Sequence, residues 1–286
     1  MKWLLSISIL CFYLQGHTQE PHSIELVSWN VFLRPGFMPD NQMGRVDSIS
    51  AYLNNSNADV LILQELFHFR ARHRLIKTLS VRYPYHSNVG KSSFLGVSSG
   101  VMIFSKTEII REKHVYFKRA IKADQLAKKG GVLAVILINE KPIEIIGTHL
   151  QAGGEEKGIE IRKTQIEQLK SLPSNKNQPT IFAGDFNISS GSDAYLELLI
   201  ALKCMNKKPS GSLQNTANFS NHNLMKTTGK PNWIDFILTS KKDKIQSLLS
   251  RIEQPMFLKN GKRKRLSDHN PIFSTIDLGE VSPALH

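Results

Sequence analysis

The chain has 286 residues, of which 41% are hydrophobic and 21% charged. That balance suits a globular protein with a sizeable core, and no low-complexity segment or internal repeat points to a fibrous or solenoid architecture. The net charge of +13 favours a polyanionic or phosphate-bearing partner, such as nucleic acid or a membrane surface.

At the N-terminus, Lys2 precedes an apolar run from Trp3 to Leu14. A spanning helix needs about 20 such residues, so the run reads instead as a secretory signal. The expectation is a secreted or periplasmic protein, with residues 1–19 as the signal and residues 20–286 as one domain. Cys11 follows Leu10, a poor lipobox, which makes a lipoprotein anchor the weaker reading. Without the signal, Cys204 is the one cysteine left, and the core must supply the stability.

Farther along, Ile24 to Asn30 alternates like a first strand, and Gly44 to Leu53 sets Val46, Ile49 and Leu53 on one helical face. Asp59 to Glu65 reads as a buried strand, Phe69 to Leu79 as a basic helix, and Lys91 to Gly100 as a loop. Strands are predicted at Gly100 to Ser105, Gly131 to Ile138, Pro142 to His149 and Thr180 to Gly184. Helices are predicted at Glu155 to Leu172 and Asp193 to Leu202. Ser210 to Lys230 is loop-like, and Trp233 to Leu238 and Pro271 to Ile276 are the last strands. Asn260-Gly261, between basic flanks, signals a hairpin. Strands outnumber helices, so the fold class is α/β: two packed sheets with helices outside.

Six apolar runs end in side chains suited to metal or acid-base work: Asn30, Glu65, His149, Asp185 with Asn187, Asp235, and Asp268 with His269. In a sandwich such strand ends gather on one rim. Glu65, Asp185, Asp268, Asn30 and Asn187 offer only oxygen, which suits a hard cation, Mg²⁺ above others. A carboxylate-held Mg²⁺ points to phosphoester chemistry. Hydrolysis needs a base, and His269, at an ordinary imidazole pKa of about 6.5, is the candidate. Asp235 is placed to fix its tautomer, and His149 to stabilise charge on a phosphoryl oxygen. Lys122 to Gly131 is not a Walker loop; it is either a solvated basic turn or a phosphate or headgroup contact.

In chain order, Trp-Asn-Val at 29–31, Gln-Glu at 64–65, Thr-His-Leu-Gln at 148–151, Gly-Asp-Phe-Asn at 184–187, Asp-Phe-Ile at 235–237 and Ser-Asp-His at 267–269 resemble the motifs of the endonuclease/exonuclease/phosphatase superfamily. The resemblance implies a DNase I-like, four-layered αββα sandwich. In detail the chain is similar to the neutral sphingomyelinases, bacterial sphingomyelinase C included, through Asn30 to Pro35, Asp59 to Phe67, Gly100 to Lys106, Asp124 to Gly130 and Thr148 to Ala152. That similarity implies a monomeric, Mg²⁺-dependent phosphodiesterase cutting sphingomyelin to ceramide and phosphocholine at a membrane surface. It implies Glu65, Asn30 and Asp268 at the metal. It implies Asp185, Asn187, His149, Asp124 and Lys129 around the substrate, and His269 as base with Asp235, His149, Asp185 and Asn187 in the catalytic set. The chain departs from secreted lytic members before Ser-Asp-His. Their hairpins carry exposed aromatics, whereas here five basic residues surround the turn and Phe257 is the one aromatic. A DNase-type endonuclease or a phosphoinositide phosphatase of the same superfamily is the alternative.

Overall fold

The computed structural model describes residues 23–38, 40–173, 178–218, 230–241 and 245–279. The signal expected at residues 1–19 lies outside them, as does most of the loop expected at 210–230.

One sheet holds β1 (Ser23–Leu33), β2 (Val60–Leu66), β3 (Tyr85–His86), β4 (Met102–Ser105), β11 (Gln246–Ile252) and β14 (Ile272–Asp277), in the order β11-β14-β1-β2-β4-β3. The other holds β5 (Ile109–Tyr116), β6 (Gly130–Ile138), β7 (Lys141–His149), β8 (Thr180–Asp185), β9 (Cys204–Asn206) and β10 (Asp235–Ser240), in the order β5-β6-β7-β8-β10-β9. The helices are α1 (Gln42–Asn54), α2 (Phe69–Leu79), α3 (Glu156–Leu169) and α4 (Asp193–Leu202); β12 (Met256–Lys259) and β13 (Lys262–Arg265) form a separate hairpin.

The layering follows from the two-residue period of β1. Val27, Trp29 and Val31 point to one face and share a cluster with Val46, Ile49 and Leu53 of α1 and Ala71, Leu75 and Leu79 of α2. Leu26 points to the other and packs with Ile62 of β2, Ile103 of β4, Ile145 of β7 and Ile181 of β8. That second cluster continues to Ile166 and Leu169 of α3 and Leu198 of α4. Helices, sheet, sheet and helices are thus stacked in four layers, the expected αββα sandwich. On β1 the inter-sheet face continues from Leu26 through Ser28 to Asn30, so apolar packing gives way to polar groups toward the strand end.

Four strands lie outside the predicted set: β3, β5, β9 and β11. All four are sheet edges. A central strand is buried on both faces and must be apolar. An edge strand is free to carry charge, and charge there blocks pairing with other chains. β5 accordingly reads Ile-Ile-Arg-Glu-Lys-His-Val-Tyr, with none of the apolar continuity that marks β2 or β8.

Candidate active site

Each sheet has a parallel pair near its centre, β1 beside β2 and β7 beside β8. Binding sites in α/β sheets form beyond the carboxyl ends of such strands. Asn30 and Glu65 come at those ends in one sheet, His149 and Asp185 in the other, where they are direct cross-strand partners. Antiparallel neighbours deliver residues at their starts: Asp235 opens β10 opposite Asp185, and Ser267, Asp268 and His269 lead into β14.

The close approach of β7 and β8 explains the glycine in Gly-Asp-Phe-Asn. A Cβ on Gly184 would sit 2.0 Å from the Thr148 carbonyl, and its φ of 149° lies where side chains are rarely tolerated. Phe32, Glu65 and Asn187 also hold left-handed φ values of 52°, 59° and 52°. Each costs on the order of 1–3 kcal/mol, and such strain concentrates at functional sites.

Asp185 is the centre of the cluster. Its Oδ2 accepts from Asn30 Nδ2 at 3.1 Å and lies 3.5 Å from His149 Nε2 and 3.7 Å from His269 Nε2. Its Oδ1 accepts from the Asn187 backbone at 3.0 Å. Asn187 then turns its side chain to the Leu150 carbonyl, 3.2 Å away. His269 Nδ1 meets Asp235 Oδ2 at 2.9 Å. Ser267 Oγ donates to the Asn30 carbonyl at 2.6 Å and accepts from the His269 backbone at 3.2 Å, tying the approach to β14 onto β1.

Asn30 presents its nitrogen, not its oxygen, to the carboxylates. Nδ2 donates to Glu65 Oε1 at 3.0 Å as well as to Asp185, while Oδ1 accepts from the Phe32 backbone at 3.1 Å. The backbone donor settles which end of the amide faces the site.

The Lys122 to Gly131 stretch is solvated over much of its length, with Lys122 and Lys128 exposed, but it turns one lysine inward. Residues 122–126 form a 3₁₀ turn, and Lys129 is buried. Its Nζ donates to Asp124 Oδ1 at 2.7 Å, to the Leu150 carbonyl at 3.1 Å, and lies 3.1 Å from His149 Nε2. An ammonium is a donor only, so the facing Nε2 acts as an acceptor and the neutral ring carries its proton on Nδ1. That Nδ1 has no hydrogen-bond partner. Asp124, Lys129, His149 and Glu65 line one side of a cleft of about 150 Å³ whose other walls are largely apolar.

The titrations follow from this layout. Burial, then Lys129, pushes His149 down to about 3 against the opposing pull of Asp185. Burial also works against the charge on His269, but Asp235, Asp185 and Asp268 together outweigh it and hold this imidazole well above its ordinary 6.5. Three carboxylate neighbours thus move this imidazole away from the ordinary value. Burial, then Asp268, raises Glu65 to about 7.

Glu65 fits a metal. Its Oε2 is buried without a hydrogen-bond partner, and burial first and Asp268 second oppose its negative charge, a cost that a cation held there would offset. A second grouping, Asp185, Asp235 and His269, brings potential ligand atoms within 4.8 Å of one another. There the 2.9 Å bond between Asp235 and His269 already engages one carboxylate with the imidazole.

Two further residues had weak sequence signals. Arg45 is fully buried and donates to the carbonyls of Val31 at 3.1 Å, Leu266 at 2.5 Å and Phe32. It thereby joins the end of β1 to the segment that carries Asp268 and His269. Its place beside Val46 on the apolar stripe of α1 was the available clue. Thr216 Oγ1 accepts from the backbones of Ile234 and Asp235, both at 3.1 Å; it lies in a polar loop with no periodicity to single it out.

The chain is 28% identical over 284 residues to sphingomyelinase C of Listeria ivanovii, covering 91% of this chain and 80% of that one. It is 27% identical to a sphingomyelinase C of Bacillus cereus, covering 91% of each. A crystal structure of beta toxin from Staphylococcus aureus, a double mutant with bound magnesium ions, superposes with a TM-score of 0.75 at 25% identity, covering 88% of this chain and 99% of that one. The model of the Endonuclease/Exonuclease/phosphatase family matches residues 27–269, from Val27 on β1 to His269, and the chain belongs to that family.

Proposed function

We propose that this protein is a secreted, Mg²⁺-dependent phosphodiesterase that hydrolyses sphingomyelin to ceramide and phosphocholine, with His269 as general base. The coarser statement, that the chain is a phosphoric diester hydrolase, follows from the family and from relatives named sphingomyelinase C and phospholipase C. The lipid reading rests on those relatives and on the apolar walls of the cleft beside Glu65 and His149. The apolar run from Trp3 to Leu14 supports secretion.

The single observation that carries the chemistry is the Asp235–His269 contact. With Asp235 on Nδ1, Nε2 of His269 is the nitrogen left to take a proton from the attacking water, and the carboxylate stabilises the imidazolium that forms. Asp185, 3.7 Å from that nitrogen, orients the water. Neutral His149 donates from its unused Nδ1 toward a phosphoryl oxygen, and Asn187 helps to seat the phosphate. The phosphorus gains the water oxygen, the bond to the ceramide oxygen breaks, that oxygen takes a proton from solvent, and His269 returns the proton it took from the attacking water to solvent. Glu65, with Asp268, would hold Mg²⁺, which when bound polarises the phosphoryl group. Asn30 then bridges metal-side and phosphate-side carboxylates rather than ligating through oxygen.

The net charge of +13 favours the second reading, a nuclease of the same family, because phosphate contacts dominate nucleic-acid affinity. A panel of sphingomyelin, lysophosphatidylcholine, phosphatidylinositol phosphates and plasmid DNA, each with Mg²⁺, separates the readings. Phosphocholine and ceramide with intact plasmid support the lipid phosphodiesterase. Nicked plasmid with intact sphingomyelin moves the assignment to the nuclease.

A further inference from the structure

Two exposed apolar side chains stand three and two residues before Val97, which lines the cleft. Phe94 and Leu95 are 93% and 49% exposed, at the tip of the loop after β3. The tip is an ordered turn. Ser93 N donates to the Val97 carbonyl at 2.8 Å and Gly96 N to the Ser93 carbonyl at 2.9 Å. Gly96 supplies a φ of 75°, which a glycine adopts without strain. The turn is fastened to the 3₁₀ segment by Ser93 Oγ donating to the Leu126 carbonyl at 2.7 Å and by Lys128 N donating to the Val97 carbonyl at 3.2 Å. Leu126, Val97 and Phe37 line the cleft that Glu65 and His149 also line, and Phe37 is itself exposed. An apolar strip thus runs from the tip at Phe94 and Leu95 to the mouth of the cleft. Lys91 and Lys128, near the turn in the chain, are exposed, and Lys122 is exposed but paired with Glu155 Oε1 at 2.7 Å.

Holding a Phe and a Leu in water on a fastened turn contributes nothing to folding. It does meet the requirements of docking, since the backbone that carries these side chains is already fixed before they bind. We propose that this turn, with Leu126 and Phe37, is the surface that seats the protein on a phospholipid bilayer, the apolar side chains entering the acyl boundary and the lysines meeting anionic headgroups. The pairing of an apolar tip with flanking cations is what an interfacial contact needs, and its continuity with the cleft would deliver a lipid phosphodiester directly to Glu65 and His149. The inference rests on the lipid reading of the site, but its test does not depend on turnover.

The experiment uses the full chain with Mg²⁺ and vesicles of phosphatidylcholine with sphingomyelin, with and without phosphatidylserine. Phe94→Trp should show a blue-shifted emission on vesicle addition beyond that of the wild-type tryptophans. The double variant Phe94→Ser/Leu95→Ser should lose about tenfold or more in vesicle affinity by sedimentation, with its melting temperature unchanged. Wild-type affinity in that double variant overturns the proposal, as does a Phe94→Trp emission no different from wild type on vesicles that bind the protein. So does a wild-type dimer in sedimentation velocity that the double variant dissociates, because the strip would then be covered by a second copy. Binding that follows the proposal, without cleavage of sphingomyelin, keeps the docking surface and rejects the substrate.

Discussion

Asn30 Nδ2 on one sheet lies 3.1 Å from Asp185 Oδ2 on the other, and 3.0 Å from Glu65 Oε1 on its own. A single amide thus joins two carboxylates across the sandwich, at the point where the two sheets meet on the polar rim. Hydrogen bonds to charged groups contribute about 1.5–3 kcal/mol each. Asn30→Ala should therefore weaken Mg²⁺ by roughly 10- to 100-fold in a calorimetric titration, with Glu65 moving further up because it loses a bond that now lowers its pKa. Unchanged Mg²⁺ affinity would remove Asn30 from the metal site.

The Asp235–His269 pair predicts a pH signature as well as a rate loss. His269→Ala should lower kcat by about 10²- to 10⁴-fold, the usual contribution of a positioned base. The base works only when deprotonated, so the wild-type rate should rise with pH, its limb lying above 6.5 because the folded imidazole is raised. Asp235→Asn removes the largest of the raising charges and leaves burial opposed mainly by Asp185, so its limb should move to lower pH while kcat falls less than in His269→Ala. A limb that stays in place would mean that another group titrates.

Gly184→Ala tests the backbone constraint. The new methyl would meet the Thr148 carbonyl at 2.0 Å, and both strands are fixed by sheet pairing. A destabilisation of about 3 kcal/mol or more is expected, seen as a fall in Tm of roughly 6–12 °C. A Tm within a degree of wild type would show that β7 and β8 separate easily.

The central strands and the site were legible for the same reason. Buried parallel strands such as β2 and β8 must be apolar until the chain leaves the core, so the first polar residues, Gln64 with Glu65 in one and Asp185 in the other, mark both the strand end and the rim. Edge strands gave no such signal, because β5 and β11 carry charge where central strands carry Val and Ile. Lys129 was placed near the substrate but its burial was not readable, because the partners that make burial tolerable, Asp124 and the Leu150 carbonyl, come together only through the fold. Arg45 was missed for a related reason: its partners are backbone carbonyls, which every sequence has. The raised pKa of His269 is also a three-dimensional property, since Asp185 and Asp235 are distant in sequence.

The hairpin predicted from Asn260-Gly261 is present, with Lys259 opposite Lys262 and Phe257 opposite Lys264. Both turn residues hold positive φ, 52° and 71°, as a tight Asn-Gly turn requires. Its basic residues should each add roughly 1 kcal/mol at an anionic bilayer. Reversing Lys262, Arg263 and Lys264 to Glu should reduce the gain in vesicle affinity that phosphatidylserine gives, and added salt should lower that gain in the wild type. If binding to phosphatidylserine vesicles is unaffected, the cluster is a solvated face.

Metal binding and protonation should be coupled through Glu65. Buried beside Asp268, its carboxyl is raised to about 7, so in the metal-free protein near neutral pH it is divided between its protonated and ionised forms. Mg²⁺ binds the ionised form, so association must expel a fraction of a proton, and the fraction grows as pH falls below 7. His269 adds in the same direction, because a nearby divalent charge opposes the imidazolium that Asp235 and Asp185 favour. The apparent Mg²⁺ affinity should therefore rise between about pH 6 and 8, by up to tenfold per unit where a single proton is displaced. Calorimetry in buffers of different ionisation enthalpy should register the released proton. Glu65→Gln should bind Mg²⁺ far more weakly and lose most of the pH dependence, since its amide has no proton to give up. EDTA should abolish activity and Mg²⁺ restore it. Mg²⁺ affinity that is flat across this range, or equal in Glu65→Gln, would place the ion elsewhere, with Asp185 and Asp235 as the next carboxylates to test.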